Sequence, residues 1–139
     1  GLLLTRYTVS GFMTITQVTI HLNTEAHIGN TVYAVLVDEF GSIIGQSEAY
    51  VTQAADLGKY KTFFITDPPT FRNVSFYAGL AQTSTGGAPY YPVSIQQEGP
   101  KSRRDAYFYA ANDGSLPVET ISTGRFMIQA AGVVPANTW

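Results

Sequence analysis

Hydrophobic and polar residues alternate along most of this chain with a period of two, which is the pattern of β-strands rather than of helices. The alternation is clearest over residues 75–82, whose two faces are formed by Phe76, Ala78 and Leu80 and by Tyr77, Gly79 and Ala81. Neither face carries a charge, so we predict that protein covers both faces and that this segment is a central strand.

Similar segments recur between turn-forming residues and predict about eight or nine strands. They lie at 2–9, 13–22, 31–37, 42–52, 60–66, 75–82, 90–97, 106–110 and 124–134. Residues 53–59 alone have a helical composition, and they are too few for more than one turn. The long connections at 53–59, 83–89 and 98–104 favour crossovers over a simple meander. We therefore predict a single all-β domain over residues 1–139, an antiparallel β-sandwich with jelly-roll or Greek-key topology.

Three local features of these strands follow from the same pattern. We place the first strand, which begins at Leu2, at an edge of the sheet. Ile15 is out of phase with the apolar positions that follow it, which predicts a β-bulge near Thr16. The turn residues at 38–41 predict a hairpin, whose return strand we expect to break at Gly45.

Composition and charge restrict the possible partners and chemistry. Charged residues make up 13% of the 139 positions, well below the usual share of about 25%. The net charge of -2 offers no attraction for nucleic acid or anionic lipid. The absence of cysteine excludes a disulfide framework, a thiolate zinc site and a cysteine nucleophile. No apolar run approaches the roughly 20 residues that span a bilayer, so we predict no membrane insertion.

The low charge and the many Thr, Ser, Gln, Asn and Tyr residues are typical of extracellular β-proteins. The sequence begins at Gly1 without a methionine, which we interpret as a domain excised from a longer exported protein. We therefore expect the protein to be secreted or located at the cell surface.

The order of strands and turns resembles a jelly-roll module that recurs in large exported surface proteins of Bacteroidota-type bacteria. The resemblance rests on residues 20–45, 55–60, 67–69, 76–82 (F-Y-A-G-L-A-Q) and 124–128 (G-R-F-M-I). It implies an all-β sandwich, export, and a non-catalytic role in a multidomain protein, where the module usually precedes a C-terminal sorting domain. The resemblance transfers no site residue.

A group of tyrosines near two arginines provides the candidate binding residues: Tyr90, Tyr91, Tyr107, Tyr109, Arg103, Arg104 and, at the end of the central strand, Gln82. Aromatic faces stack on the C–H faces of sugars, and planar polar groups such as Gln or Arg hydrogen-bond to sugar hydroxyls. The same tyrosines would suit a protein interface, since Tyr gives rigid contact area at low entropy cost. Tyr is also an ordinary half-buried strand residue, and the sequence leaves these alternatives open.

Metal sites and catalysis have weaker signals. His21 and His27 with Glu25 supply too few well-spaced ligands for zinc. Carboxylates at 38–39 and at 112–113 would suit a structural calcium ion, although acidic turn residues usually cap their own turn. We find no nucleophile elbow, phosphate-binding loop or zinc helix, so we predict no enzyme activity and no cofactor.

Together these patterns predict a non-catalytic extracellular or cell-surface module that acts in adhesion, structural assembly or domain–domain contact. The expected partners are neighbouring domains or surface proteins. The alternative is a carbohydrate-binding module that uses the tyrosine cluster to hold a glycan.

Overall fold

The structure, a computed structural model, describes residues 2–22, 29, 31–82, 95–97, 108–110, 116–119, 124–126 and 128–133; at 82, 95–97, 108–110, 118–119 and 124–126 it describes the backbone alone. The strands are β1 (Leu2–Thr8), β2 (Phe12–His21), β3 (Thr31–Val37), β4 (Ile43–Ser47), β5 (Tyr50–Val51), β6 (Tyr60–Thr66), β7 (Thr70–Arg72), β8 (Ser75–Gln82), β9 (Ile95–Gln97), β10 (Phe108–Ala110), β11 (Val118–Glu119), β12 (Gly124–Phe126) and β13 (Ile128–Val133). A 3-10 turn at Ala54–Asp56 lies in the stretch with helical composition.

Nine of these strands form one antiparallel path in the order β11-β10-β1-β8-β3-β4-β6-β2-β13, while β5 pairs with β3 and β7 pairs with β2. A separate pair is formed by β12 and β9. Because neighbours in the path are mostly distant in sequence, the connections cross over as predicted. The all-β antiparallel class is confirmed.

Strand β4 joins the two halves of the sheet. It pairs with β3 on one side and, through Gln46 and Ser47, with β6 on the other. The described strands are therefore arranged almost as a barrel rather than as two separate sheets. The division into a sandwich with jelly-roll topology stays a prediction.

The central position predicted for residues 75–82 is confirmed. Strand β8 pairs with β1 on one side and with β3 on the other. Phe76, Ala78 and Leu80 belong to the main core, whereas Tyr77 and Ala81 belong to a second apolar cluster on the opposite face.

The main core lies between the two halves of the sheet. One half, β1, β8 and β3, contributes Leu80 and Phe76, and the other half, β2, β6 and β13, contributes Val18 and Phe63. The rings of Phe71 and Phe76 stack at 4.3 Å across this space. Packing between the halves therefore orients β2, β6 and β13 so that their other face is turned to solvent.

Two local predictions were wrong. Strand β1 is not at an edge, because it pairs with β10 as well as with β8; Leu2 and Leu3 point to opposite faces and both are buried. The return strand does not break at Gly45 but continues to Ser47. A Cβ at Gly45 would lie 3.2 Å from Pro69 Cδ, so this glycine allows close packing rather than a break.

The predicted bulge and hairpin are confirmed. Gln17 pairs with Ala131 and Ile15 with Gly132, which leaves Thr16 as the extra residue on β2. Strands β3 and β4 form the hairpin. The pattern missed the short strand β7, which follows two prolines and pairs with the first residues of β2.

Candidate binding surface

The solvent-facing side of β2, β6, β7 and β13 is the candidate binding surface, and we call it the outer face. Its described members are Phe12, Thr14, Gln17, Thr19 and His21 on β2, Tyr60, Thr62, Phe64 and Thr66 on β6, Thr70 and Arg72 on β7, and Gln129, Ala131 and Val133 on β13.

The period-two alternation of β6 builds the middle of this surface. Phe63 and Ile65 point into the core, and the exposed residues Tyr60, Thr62, Phe64 and Thr66 point outward. On β2 the phase changes at Thr16, and the bulge keeps Thr14 on the outer face beside Thr70 and Val133. Without the bulge, one end of β2 would turn its polar side inward.

Large apolar side chains are unusually exposed on the outer face. Phe64 is 69% exposed, Val133 57%, Tyr60 55% and Phe12 51%. These four account for half of the eight large hydrophobic residues that are exposed in the described part of the chain. All four lie on this one sheet face, with Phe12 beside Arg72 at one end of β2 and Tyr60 beside His21 at the other.

Polar members of the outer face are mostly uncharged and pair with one another. The hydroxyl oxygens of Thr19 and Thr62 are 2.9 Å apart, and those of Thr14 and Thr70 are 2.6 Å apart. Each pair joins neighbouring strands, which stabilises the sheet on its solvent side. Arg72 is the one Lys or Arg among the described members, and its guanidinium lies 5.1 Å from the centre of the Phe12 ring.

Tyr60 is held in a defined position at one end of β6. Its ring meets the His21 ring edge-on, with centroids 4.8 Å apart and planes at 82°. This is a favourable geometry for an aromatic pair. The Tyr60 ring is therefore supported from β2 while more than half of the residue remains in contact with solvent.

A groove runs beside β6 where β4 leaves it. Strand β6 pairs with β2 through residues 60–64, but it pairs with β4 only at Ile65 and Thr66. Within the described residues, no strand pairs with the other edge of residues 60–64. The groove there has a volume of about 400 Å³ and is lined by Ser47, Glu48, Ala49, Tyr50 and residues 61–66.

Two residues that line this groove, Tyr50 and Lys61, are linked with the side chain of Asp56. The Tyr50 hydroxyl donates to Asp56 Oδ2 at 2.6 Å, and Lys61 Nζ lies 4.0 Å from the centre of the Tyr50 ring. The bond to Asp56, with burial, raises the pKa of Tyr50. Burial acts to raise the pKa of Asp56, but bonds from Tyr50 and the Gln53 N–H, with the nearby lysines, lower it overall.

Most of the residues predicted to bind lie outside the described residues: Tyr90, Tyr91, Arg103, Arg104 and Tyr107. Gln82 is the last residue of β8, and its backbone pairs with Val32. Tyr109 lies in β10 and pairs with Leu3. The backbone thus places Gln82 and Tyr109 on strands that flank β1.

The outer face was missed by the sequence reasoning, although one signal for it was visible. Tyr60, Thr62, Phe64 and Thr66 alternate with Lys61, Phe63 and Ile65, so the side of this strand that carries the threonines also carries two aromatic rings. A strand with large aromatic residues on its solvent side is a candidate for binding.

Of the candidate metal ligands, Asp38 caps its own turn and several others lie outside the described residues. Asp38 Oδ1 accepts the backbone N–H groups of Phe40 and Ser42, both at 2.9 Å, which is turn capping. Glu25, His27, Asn112 and Asp113 lie outside the described residues. The described residues contain no group of three or more His, Cys, Asp or Glu side chains placed to hold a metal ion.

No protein-family model matches this chain, and no curated protein matches it. Within the part of the chain that the structure describes, no helix has the length and hydrophobicity needed to cross a membrane.

Proposed function

We propose that this chain is a non-catalytic module of an exported protein, which acts at the cell surface in adhesion or structural assembly. It does so through contacts with neighbouring domains or surface proteins. The observation that supports this proposal is the outer face, on which Phe12, Tyr60, Phe64 and Val133 are each more than half exposed.

The energetics of such a face favour contact with another surface. Covering one large apolar side chain contributes roughly 1.5–3 kcal/mol relative to leaving it in water. The polar members are mainly Thr and Gln, which are cheaper to desolvate than charges. Export is supported by the low charge of the whole sequence and by its resemblance to modules of exported surface proteins.

Retention of surface proteins by the immobilised domain tests this function. The domain should retain proteins from the outer-surface fraction of the cells that produce it. The double variant Phe12→Ser, Val133→Ser should lower retention roughly tenfold, as expected when interface anchors are removed. Both residues are on the outer face, and neither belongs to β6.

A matched control uses exposed apolar residues away from the outer face. Phe40 in the turn after β3 is 73% exposed, and Leu116 is 61% exposed. The double variant Phe40→Ser, Leu116→Ser should retain the same proteins as the wild type. Equal retention by both double variants would contradict a role for the outer face.

A neutral glycan is the second candidate ligand. Tyr60 and Phe64 project from the same side of β6, and Thr62 lies between them with Gln17 beside Phe64. Two aromatic rings with a hydroxyl and an amide are suited to stack on sugar rings and hydrogen-bond to them. The predicted tyrosine cluster is the other candidate site for the same class of ligand.

Pull-down on insoluble polysaccharides and a glycan array distinguish these sites. Phe64→Ala should abolish sugar binding if the outer face is the binding site. The double variant Tyr90→Ala, Tyr91→Ala should abolish it if the tyrosine cluster is the binding site. Absence of binding at millimolar sugar would rule out the glycan candidate.

A further inference from the structure

We propose that two copies of this chain pair through the edge of β6 at residues 60–64, with which no described strand pairs, antiparallel about a two-fold axis at Thr62. This inference deepens the proposed function, on which it rests, because it identifies one partner of the module as a second copy of itself. It places the contact on the backbone edge of β6 rather than on the flat surface of the outer face.

The edge itself is the first argument. Among the described strands, β2 alone pairs with residues 60–64, on one side, and β4 turns away from β6 after Ser47. The hydroxyl of Ser47 accepts the Ala34 N–H at 2.8 Å, which ties the end of β4 to β3. Backbone donors and acceptors on such an edge are a ready template for another strand.

The sequence of this edge is complementary to itself. An antiparallel pair centred on Thr62 places Thr62 opposite Thr62, Tyr60 opposite Phe64, and Lys61 opposite Phe63 of the second copy. It thus brings two aromatic pairs and one hydroxyl pair onto the outer side. Cross-strand pairs of these kinds stabilise sheets, and a two-fold axis repeats each contact.

Nothing in residues 60–64 blocks such pairing. The segment contains no proline, glycine or carboxylate. An inward-pointing lysine often protects an edge strand. Here the ammonium group of Lys61 lies over the Tyr50 ring at 4.0 Å, so it is accommodated within its own copy. A groove of about 400 Å³ runs along this edge, between residues 47–50 and β6.

Pairing at this edge would produce a larger binding surface. The strands β13, β2 and β6 of one copy would continue into β6, β2 and β13 of the other. Their outer faces would then form one continuous sheet surface with twice the number of exposed aromatic residues. Assembly of two copies would in this way increase the area with which the module contacts other surfaces.

Single cysteines test the pairing, because the chain contains no cysteine of its own. Opposed Cα atoms in an antiparallel pair are about 4.5–5.5 Å apart, a distance that a disulfide can bridge. Thr62→Cys should therefore form a covalent dimer under mild oxidation. Thr66→Cys, on the same strand and face but paired with β4, should form it far more slowly.

The register gives a second, independent test. Tyr60→Cys alone and Phe64→Cys alone should cross-link poorly, because each cysteine would lie about 13 Å from the same cysteine of the second copy. A mixture of the two variants should form the mixed disulfide. Sedimentation of the wild type should show dimer that increases with concentration.

The proposal is overturned if the wild type remains monomeric at all concentrations, or if Thr62→Cys cross-links no faster than Thr66→Cys. It is also overturned if a strand of an unrelated protein binds this edge while two copies of the chain do not pair. Circular dichroism of each variant establishes that it is folded. Because Phe12→Ser with Val133→Ser tests the outer face and leaves β6 intact, failure of the edge is distinguishable from failure of the proposed function.

Discussion

The Tyr50 hydroxyl and the Asp56 carboxylate are joined by a 2.6 Å hydrogen bond that connects β5 to the 3-10 turn after it. The same carboxylate oxygen accepts the Gln53 N–H at 2.8 Å. The pair lies beside the groove along β6, with Lys61 Nζ above the Tyr50 ring. Protonation of the Asp56 carboxylate therefore affects the stability of the segment that borders the proposed dimer edge.

Asp56→Asn should change the acid dependence of stability. Since the pKa of Asp56 is lower in the folded state, its stabilising contribution is present above the ordinary carboxyl pKa and is lost as pH falls through the folded value. Urea unfolding between about pH 2 and pH 6 should show this loss in the wild type and less of it in the variant. At neutral pH the variant should lose less than about 1 kcal/mol, because solvent screens the pair.

Asp67→Asn is the matched control, since the Asp67 side chain is exposed and takes part in none of the described hydrogen bonds. Its acid profile should follow the wild type. An Asp56→Asn profile identical to that of the wild type would contradict a role for the carboxylate.

Gly79→Ala should strongly destabilise the fold. A Cβ at this position would overlap with the backbone carbonyl of Leu3 on the neighbouring strand, which has no flexible end that can move away. Overpacking of this kind costs about 1–3 kcal/mol or more. Thermal unfolding should show the loss directly.

Gly45→Ala provides the comparison for Gly79→Ala. Its nearest neighbours would be side-chain atoms at 3.2–3.4 Å, which can shift by a few tenths of an ångström. We expect a clearly smaller change in melting temperature. Equal effects of the two substitutions would show that backbone contact is not the cause.

Ser47→Ala should destabilise the junction between β4 and β5. The Ser47 hydroxyl accepts the buried Ala34 N–H at 2.8 Å, and the methyl group of an alanine cannot accept this hydrogen bond. A buried N–H without a partner costs about 1–3 kcal/mol. Urea unfolding measures the cost, and Ser42→Ala, at an exposed serine in the nearby turn, should leave stability unchanged.

Thr52→Val should stabilise the protein. Thr52 is 1% exposed, and its hydroxyl has no hydrogen-bond partner among the described residues. Replacing the hydroxyl by a methyl group of similar size removes a desolvated polar group, which should raise stability by about 1 kcal/mol. Thr52→Ala removes the hydroxyl but leaves a cavity, so it should be less stable than Thr52→Val. A Thr52→Val variant that unfolds at lower urea would show that the hydroxyl is satisfied.

Several local features of the strands could be predicted from the sequence. The bulge at Thr16 was predictable because Ile15 could be buried only by a change of phase. The two-faced burial of residues 76–81 was predictable from the absence of charge on either side. The interior position of β1 was not predictable, because apolar residues on both faces indicate cover above and below but not the presence of a second neighbouring strand.

The candidate site was less predictable than the fold. The predicted tyrosine cluster consists of residues that are close in sequence, and most of it lies outside the described residues. The outer face combines residues that are far apart in the chain. Val133 and Thr14, for example, are opposite each other in the sheet. Sequence proximity therefore could not identify this surface.

The sequence by itself determined the type of element, because a period of two and the turn residues define strands and their faces locally. It also determined the low charge of the outer face, since Thr, Gln and aromatic residues fill most of its alternating positions. The tertiary structure decided which strands are neighbours and which edge has no partner among the described strands. Partners such as Leu3 and Leu80, or Ile20 and Ile128, are selected only when distant segments pack together around a shared core.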